Sequence, residues 1–187
     1  MRTFGFVAGL AFLGLYSVAA TAAADPAVEQ QWKQEQIAQM VPVKGSYRNQ
    51  QYGFGVLTPP GADAYRDGPP NPSHGVLYVL GYQRTISVSG TYDAAEYGST
   101  KAQLDAWLES AHPDSVARAP AVLAKKPAEK ATVQTRQVVN RVVVQRRNEG
   151  SGILYELTLT TTPADQAKDT AIFDGVVAGF KTYALPK

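Results

Sequence analysis

Two histidines, His74 and His112, are the residues whose type best suits proton transfer or metal binding. His74 precedes a predicted strand, and His112 lies at the end of a predicted helix, where the helix dipole favours a cation. Neither belongs to a His-Glu-x-x-His zinc motif, and the chain has no Gly-x-Ser-x-Gly or Ser-x-x-Lys motif. The sequence therefore predicts no catalytic residue, no metal ligand and no cofactor.

The acidic run that begins at Asp63 resembles the start of a calcium-binding EF-hand loop. Asp63, Asp67 and Gly68 would occupy positions 1, 5 and 6 of that loop. Positions 3 and 12, which need oxygen ligands, are instead Tyr65 and His74. Calcium binding is therefore not predicted.

The proline-rich run 59–75 is the best candidate for a binding surface. We predict a loop over 59–74, because a connection of this length in a compact domain is often functional and prolines reduce the entropy lost on ordering it. Tyr65 and Arg66 lie at its middle, and both residue types are enriched at binding hot spots. Together with Asp67 and His74 they form the predicted partner-binding residues. The alternative is a structural loop that the prolines hold against the core.

Basic residues suggest a second surface, which an acidic partner would fit. They are Lys125, Lys126, Lys130, Arg136, Arg141, Arg146 and Arg147. A solvated sheet face without a partner explains the same residues. The net charge of the chain is only +2, so nucleic acid is not an expected partner.

Hydrophobic periodicity places these residues on an alternation of helices and strands. A capping-box pattern at Thr100 and Gln103 opens the second of three helices, and Thr162-Pro163 is typical of the start of the third. The expected elements are a helix over 26–40, a strand pair or a bent strand over 47–58, strands over 75–80 and 85–92, a helix from Thr100, a short strand over 117–124, strands over 132–147 and 152–161, and a final helix with Ile172, Phe173, Val176, Val177 and Phe180 on one face. Hairpins join most of the strands, so we expect an antiparallel sheet flanked by helices, which is the α+β class.

Residues 1–24 have the features of a signal peptide. Arg2 precedes an apolar run over 4–16, and small residues follow up to Ala24. Signal peptidase sites fit after Ala22 or Ala24, so we expect no stable membrane anchor after cleavage. The remainder, 25–187, has no cysteine and is expected to form a single periplasmic or secreted domain.

Two stretches resemble PsbP-like domains. The run 47–61 starts at a tyrosine, continues through an asparagine to Tyr-Gly-Phe at 52–54, and ends with Pro-Pro-Gly. The run 153–181 leads from a strand into a helix that ends in Val-Ala-Gly-Phe-Lys. The resemblance implies an α/β/α sandwich around an antiparallel sheet and a binding, assembly or accessory role without a catalytic centre. The stretch 69–75 departs from the family's pattern.

Two function classes follow from these observations. The first is an exported, non-catalytic protein of a bacterial-type cell envelope that binds another envelope protein, as an accessory factor, an inhibitor or an immunity protein. The alternative is a small periplasmic hydrolase without a recognisable motif. An enzyme needs a cleft in which several titratable groups converge, whereas a binding protein can present a flat or protruding patch.

Export with cleavage predicts a shortened N-terminus. Mass spectrometry of the protein recovered from the cell envelope should find a chain that begins at Ala23 or Asp25. An intact Met1 on that protein would contradict the signal-peptide interpretation.

Overall fold

The computed structural model describes residues 25–69, 73–92, 99–111, 113–135, 138–147 and 152–185. Within these ranges the protein is rich in β-structure, with three helices. The elements are α1 (Pro26–Ile37), β1 (Met40–Val43), β2 (Ser46–Asn49), β3 (Phe54–Leu57), β4 (Asp63–Asp67), β5 (Gly75–Gly81), β6 (Arg84–Tyr92), α2 (Thr100–Ala111), β7 (Ser115–Leu123), β8 (Lys126–Gln134), β9 (Val139–Arg146), β10 (Ile153–Thr161), α3 (Gln166–Gly179) and β11 (Lys181–Thr182).

The strands form two antiparallel sheets. The larger sheet has the order β1-β4-β5-β6-β10-β9-β8-β7, and the smaller has the order β11-β3-β2. Strand β10 lies near the middle of the larger sheet, and its side chains alternate between the two faces. The expected antiparallel α+β arrangement is confirmed, but the sheet is divided in two.

The main core fills the space between the two sheets and α3. Phe54 from β3, Tyr155 from β10 and Phe180 after α3 are all buried, and their ring centroids lie 5.2–5.7 Å apart. On the opposite face of the larger sheet, α2 buries Leu104 and Leu108 against the valines and alanine of β8 and β9. The helices cover the sheet only in part, since α1 buries none of its residues.

Five local expectations differ from the structure. The first helix, predicted over 26–40, ends at Ile37, and Met40 begins β1 instead. Residues 63–67, predicted as loop, form β4, because β1 and β5 each pair with this segment and bury Ala64. The predicted strand over 132–147 turns after Thr135, whose backbone N–H donates to the carbonyl of Val138, and so contributes to two strands. The remaining two differences concern helix ends.

The starts of α2 and α3 are each capped differently from the prediction. The hydroxyl of Ser99, rather than that of Thr100, accepts from the backbone N–H of Ala102. Thr162 accepts from the N–H of Asp165 in a turn that precedes α3, so that this helix begins at Gln166. The capping hydroxyl of α2 is therefore correct in kind but lies one residue earlier than predicted, whereas the N-cap of α3 is Asp165, whose side chain makes no capping hydrogen bond.

Arg147 connects the two sheets. Its Nη1 donates to the Tyr155 hydroxyl at 2.8 Å and to the Gly53 carbonyl at 3.2 Å, and its Nη2 donates to the Tyr183 carbonyl. The backbone N–H of Tyr183 donates in turn to the Gly53 carbonyl at 2.7 Å. Gly53 has φ +65°, and a Cβ there would lie 2.5 Å from Arg147 Nη1, so both conformation and space require glycine.

A buried ion pair fixes α3 to the larger sheet. Arg84, at the start of β6, donates Nε and Nη2 to the two carboxylate oxygens of Asp169 at 2.7 and 2.6 Å. The Thr161 hydroxyl donates to the same carboxylate, whose residue is 0% exposed. Burial alone would raise the pKa of Asp169, but the hydrogen bonds from Arg84 and Thr161 hold that pKa below its ordinary value.

Asp169→Asn should lower the free energy of unfolding at pH 7 by about 3 kcal/mol, because it removes the charged acceptor of two Arg84 hydrogen bonds in a buried site and leaves Asp165, 3.4 Å from Arg84 Nη1, as the nearest carboxylate. Since the pKa of Asp169 is lowered in the folded state, its contribution is present above about pH 4 and is lost as the pH falls through the folded-state pKa. Urea unfolding across this range should show the gap between wild type and variant closing in acid. Asp105→Asn, which removes an exposed carboxylate, is the control and should have a much smaller effect.

Arg147→Lys should lower the stability by about 1.5–3 kcal/mol, because an ammonium group keeps the charge but cannot reproduce the planar fork that reaches three acceptors. The melting temperature measures this loss. Arg118→Lys, at an exposed arginine that pairs with Asp105, is the matched control. Equal melting temperatures for the two variants would contradict the connecting role of Arg147.

Candidate functional site

The structure brings Asp67 and His74 together but does not gather all four predicted binding residues on one surface. Tyr65, Arg66 and Asp67 lie on β4 rather than on a loop, so the side chains of Tyr65 and Arg66 point to opposite faces of the sheet. Asp67 and His74 are brought together: the backbone N–H of His74 donates to Asp67 Oδ2 at 2.9 Å, and His74 Nδ1 lies 3.8 Å from the same oxygen. The four residues therefore do not form one continuous surface.

Tyr65 lines a shallow groove of about 440 Å³ between α1 and β4. The helix contributes polar and apolar residues to it, namely Pro26, Glu29, Gln30, Lys33, Gln34 and Ile37. Lys33 lies 2.5 Å from Asp63, and this hydrogen bond raises the pKa of the lysine. Of the charged residues that line the groove, Lys33 is thus engaged with β4, and Glu29 is exposed.

His74 belongs to a group of three rings at the end of the sheet. Tyr52 stacks on His74 with ring centroids 5.9 Å apart and an angle of 25°, and it packs against Tyr92 at 5.0 Å and 56°. Tyr52 is buried, whereas the His74 side chain is 48% exposed and Tyr92 is 60% exposed. We call Tyr52, His74 and Tyr92 the aromatic patch.

The backbone around the patch is held by hydrogen bonds. The carbonyl of His74 accepts from the N–H of Gly90 at 2.9 Å, which fixes His74 to β6. Gly90 also leaves room for Tyr52, because a Cβ at Gly90 would lie 2.7 Å from the Tyr52 Cβ. The Tyr92 hydroxyl donates to the carbonyl of Gln51 at 3.4 Å.

A buried polar network lies beneath the patch. Asn49 donates to the Tyr47 hydroxyl at 2.9 Å and to the Ser73 carbonyl at 2.7 Å, and its side-chain oxygen accepts from the Tyr52 N–H at 2.9 Å. One amide therefore holds the residue before His74 and the backbone of Tyr52 in fixed positions. Burial raises the pKa of Tyr47, so its phenol is neutral at physiological pH.

The geometry does not assemble a nucleophile on His74. The Ser73 hydroxyl lies 2.7 Å from the Tyr47 hydroxyl and 3.3 Å from the Gly75 carbonyl, and both contacts belong to the network beneath the patch. Among the described residues no group of three or more His, Cys, Asp or Glu side chains could hold a metal ion. What the patch offers chemically is two exposed rings, the phenol of Tyr92 and the imidazole of His74, with the carboxylate of Asp67 beside the imidazole.

The structure divides the predicted basic face: its described arginines make contacts within the protein, whereas Lys125 and Lys126 are exposed. Arg147 points inward to the carbonyls described above, and Arg146 is buried. Arg141 donates to the Thr132 hydroxyl at 3.2 Å and lies 3.5 Å from Asp174. These arginines bind parts of the same chain. Arg136, like His112, lies outside the described residues.

The sequence pattern predicts His74 and Asp67 as binding residues, whereas Tyr52 and Asn49, which the structure places beside them, are not among the predicted residues. The one local signal for Asn49 is its position three residues before Tyr52, the spacing at which an asparagine side chain accepts from a turn N–H. Nothing in the sequence places Tyr52 against His74, because that contact joins segments from two different sheets.

Comparison with known proteins bears on the fold. No family model and no curated protein matches the sequence. Among solved structures, cyanobacterial PsbP (CyanoP) from Synechocystis sp. PCC 6803 superimposes with a TM-score of 0.50 at 14% identity, over 79% of this chain and 94% of that one. A protein from Bacteroides thetaiotaomicron VPI-5482 gives the same TM-score and identity over 75% of this chain, which spans 48% of that protein. The chain has a PsbP-like fold, which confirms the resemblance seen in the sequence.

Within the described residues, the three helices are too short or too polar to cross a bilayer.

Proposed function

We propose that this chain is an exported, non-catalytic accessory protein that binds another protein of the cell envelope through the aromatic patch and Asp67. The single observation that carries the proposal is the buried ring of Tyr52, which holds two exposed rings in fixed positions. The PsbP-like fold supports an accessory role, and residues 1–24 support export.

Preorganisation is the physical argument for binding at this patch. A partner that contacts free aromatic side chains must immobilise them, which costs about 0.5–1.5 kcal/mol for each. Here Tyr52 already restricts His74 and Tyr92, and the network through Asn49 fixes the backbone that carries His74. The patch can therefore be covered by a partner with little further loss of entropy.

The chemistry of the patch favours a protein surface as its ligand. Tyrosine and histidine rings present apolar area with a polar edge, and aromatic residues are enriched where protein interfaces are most buried. Asp67 adds a carboxylate at the margin, with its side chain 36% exposed. A partner segment with an apolar side chain beside a hydrogen-bond donor or a cation would satisfy both features.

The pair of Asp67 and His74 is the one feature that favours the alternative, a small hydrolase. In such an enzyme Asp67 would orient His74 as a general base for water or a hydroxyl. The two proposals differ in their response to His74→Asn, which removes the base and keeps a polar side chain. Loss of a hydrolytic activity on envelope substrates with this variant would establish the enzyme instead.

The binding proposal predicts the behaviour of a double variant. Once a partner has been isolated from an envelope extract with the mature chain, His74→Ala with Tyr92→Ala should weaken the complex by at least about 2 kcal/mol, the threshold for a hot spot. The melting temperature should change little, because exposed substitutions usually cost under about 0.5 kcal/mol. Isothermal titration calorimetry and a thermal melt measure the two quantities.

Tyr65→Ala with Arg66→Ala is the matched control, because it also removes an aromatic ring and a polar side chain, but from positions on β4 that are outside the aromatic patch. If this control weakens the complex and the patch variant does not, β4 is the recognition element and the patch is structural. If neither weakens it, the partner binds elsewhere and the proposal is wrong.

A further inference from the structure

Strand β7 forms an edge of the larger sheet, and within the described part of the chain it pairs with β8 alone. Most of its residues are exposed, including two valines: Val116 is 46% exposed and Val122 is 64% exposed. A long edge strand with exposed apolar side chains is a template for another strand, and natural proteins usually shield such edges.

Pro120 shows which backbone groups of β7 face outward. Proline has no N–H, so within a paired strand its nitrogen lies on the side away from the neighbouring strand. Directions alternate along a strand, so the N–H and C=O groups of Val116, Arg118 and Val122 point away from β8 as well. These are the groups that a further strand would bond.

The outward groups match those of a second copy of the same strand. Residues 116–122 read Val-Ala-Arg-Ala-Pro-Ala-Val, which is nearly symmetric about Ala119. A two-fold axis at Ala119 places Val116 opposite Val122 of the second copy and Arg118 opposite its Pro120. Both pairs join residues with outward groups, so the first exchanges two hydrogen bonds and the second exchanges one, because proline lacks a donor.

The register places no like charges directly opposite each other. Arg118, the charged residue of β7, comes opposite Pro120 of the second copy and diagonal to its own copy. Asp105 of α2 already pairs with the Arg118 guanidinium of the same chain, which offsets the repulsion between the two arginines.

We infer that β7 is a self-association surface: two copies of this chain pair antiparallel through β7 about Ala119 and form one continuous sheet. The two exposed valines then cover one another across the interface, and the row of small alanines allows the strands to approach without steric conflict. The surface is separate from the aromatic patch, so this inference does not depend on the proposed function.

A cysteine scan tests the register directly, because the chain contains no cysteine. At the two-fold axis, Ala119 faces its own copy in a non-hydrogen-bonded pair with Cα atoms about 4.5 Å apart, which is within reach of a disulfide. Mild oxidation of the mature Ala119→Cys chain should give a covalent dimer on a non-reducing gel. Ala117→Cys alone should remain monomeric on the gel, whereas its mixture with Ala121→Cys should cross-link.

Sedimentation of the mature chain tests the association itself. Wild type should sediment as a dimer, and Val116→Lys should shift it to monomer, because a lysine on an edge opposes strand pairing. Val28→Lys is the matched control: Val28 is 47% exposed but lies on α1, so the dimer should persist. Circular dichroism verifies that each variant is folded.

Three results would overturn the inference. They are a wild-type chain that is monomeric at every concentration, a dimer that Val116→Lys leaves intact while Ala119→Cys fails to cross-link, and a β7 edge that is occupied by a strand of a different protein.

Discussion

The guanidinium of Arg147 is the contact on which the relation between the two sheets depends. It lies just beyond the end of β9 in the larger sheet and binds the turn between β2 and β3 and the segment that follows α3. These segments are far apart in sequence, and the guanidinium binds a carbonyl group of each in a partly buried space, beside the backbone hydrogen bond that already joins Tyr183 to Gly53. The aromatic core of Phe54, Tyr155 and Phe180 packs beside this contact, and the Tyr155 hydroxyl takes part in it.

The same turn that Arg147 holds also carries the proposed binding surface. Asn49 and Tyr52 lie at its two ends, and the first fixes Ser73 while the second supports His74 and Tyr92. The turn that begins at Asn49 therefore links the contact of Arg147 to the proposed binding surface. The ion pair of Arg84 and Asp169 lies at the opposite end of β6 and fixes α3 over the sheet.

The sequence predicted those elements whose pattern is local. The strand predicted over 152–161 corresponds to β10, and the stretch 47–58, predicted as a strand pair or a bent strand, contains β2 and β3 of the smaller sheet. Segment 63–67 was missed because prolines surround it and its extended form depends on β1 and β5. The inward role of Arg147 was missed for a related reason, since its three acceptors meet only in the folded chain. His74 and Asp67 were identified by residue type, whereas the ring that supports His74 is a long-range contact.

The position of β10 in the larger sheet has a consequence for biosynthesis. This strand lies between β6 and β9, yet it is almost the last strand to be synthesised. Until residues 153–161 have left the ribosome, β6 and β9 are two open edges that cannot join, and the sheet remains in two halves. A nascent chain of this design therefore completes the larger sheet only late in its synthesis. A product truncated before residue 153 is correspondingly a substrate for aggregation and proteolysis.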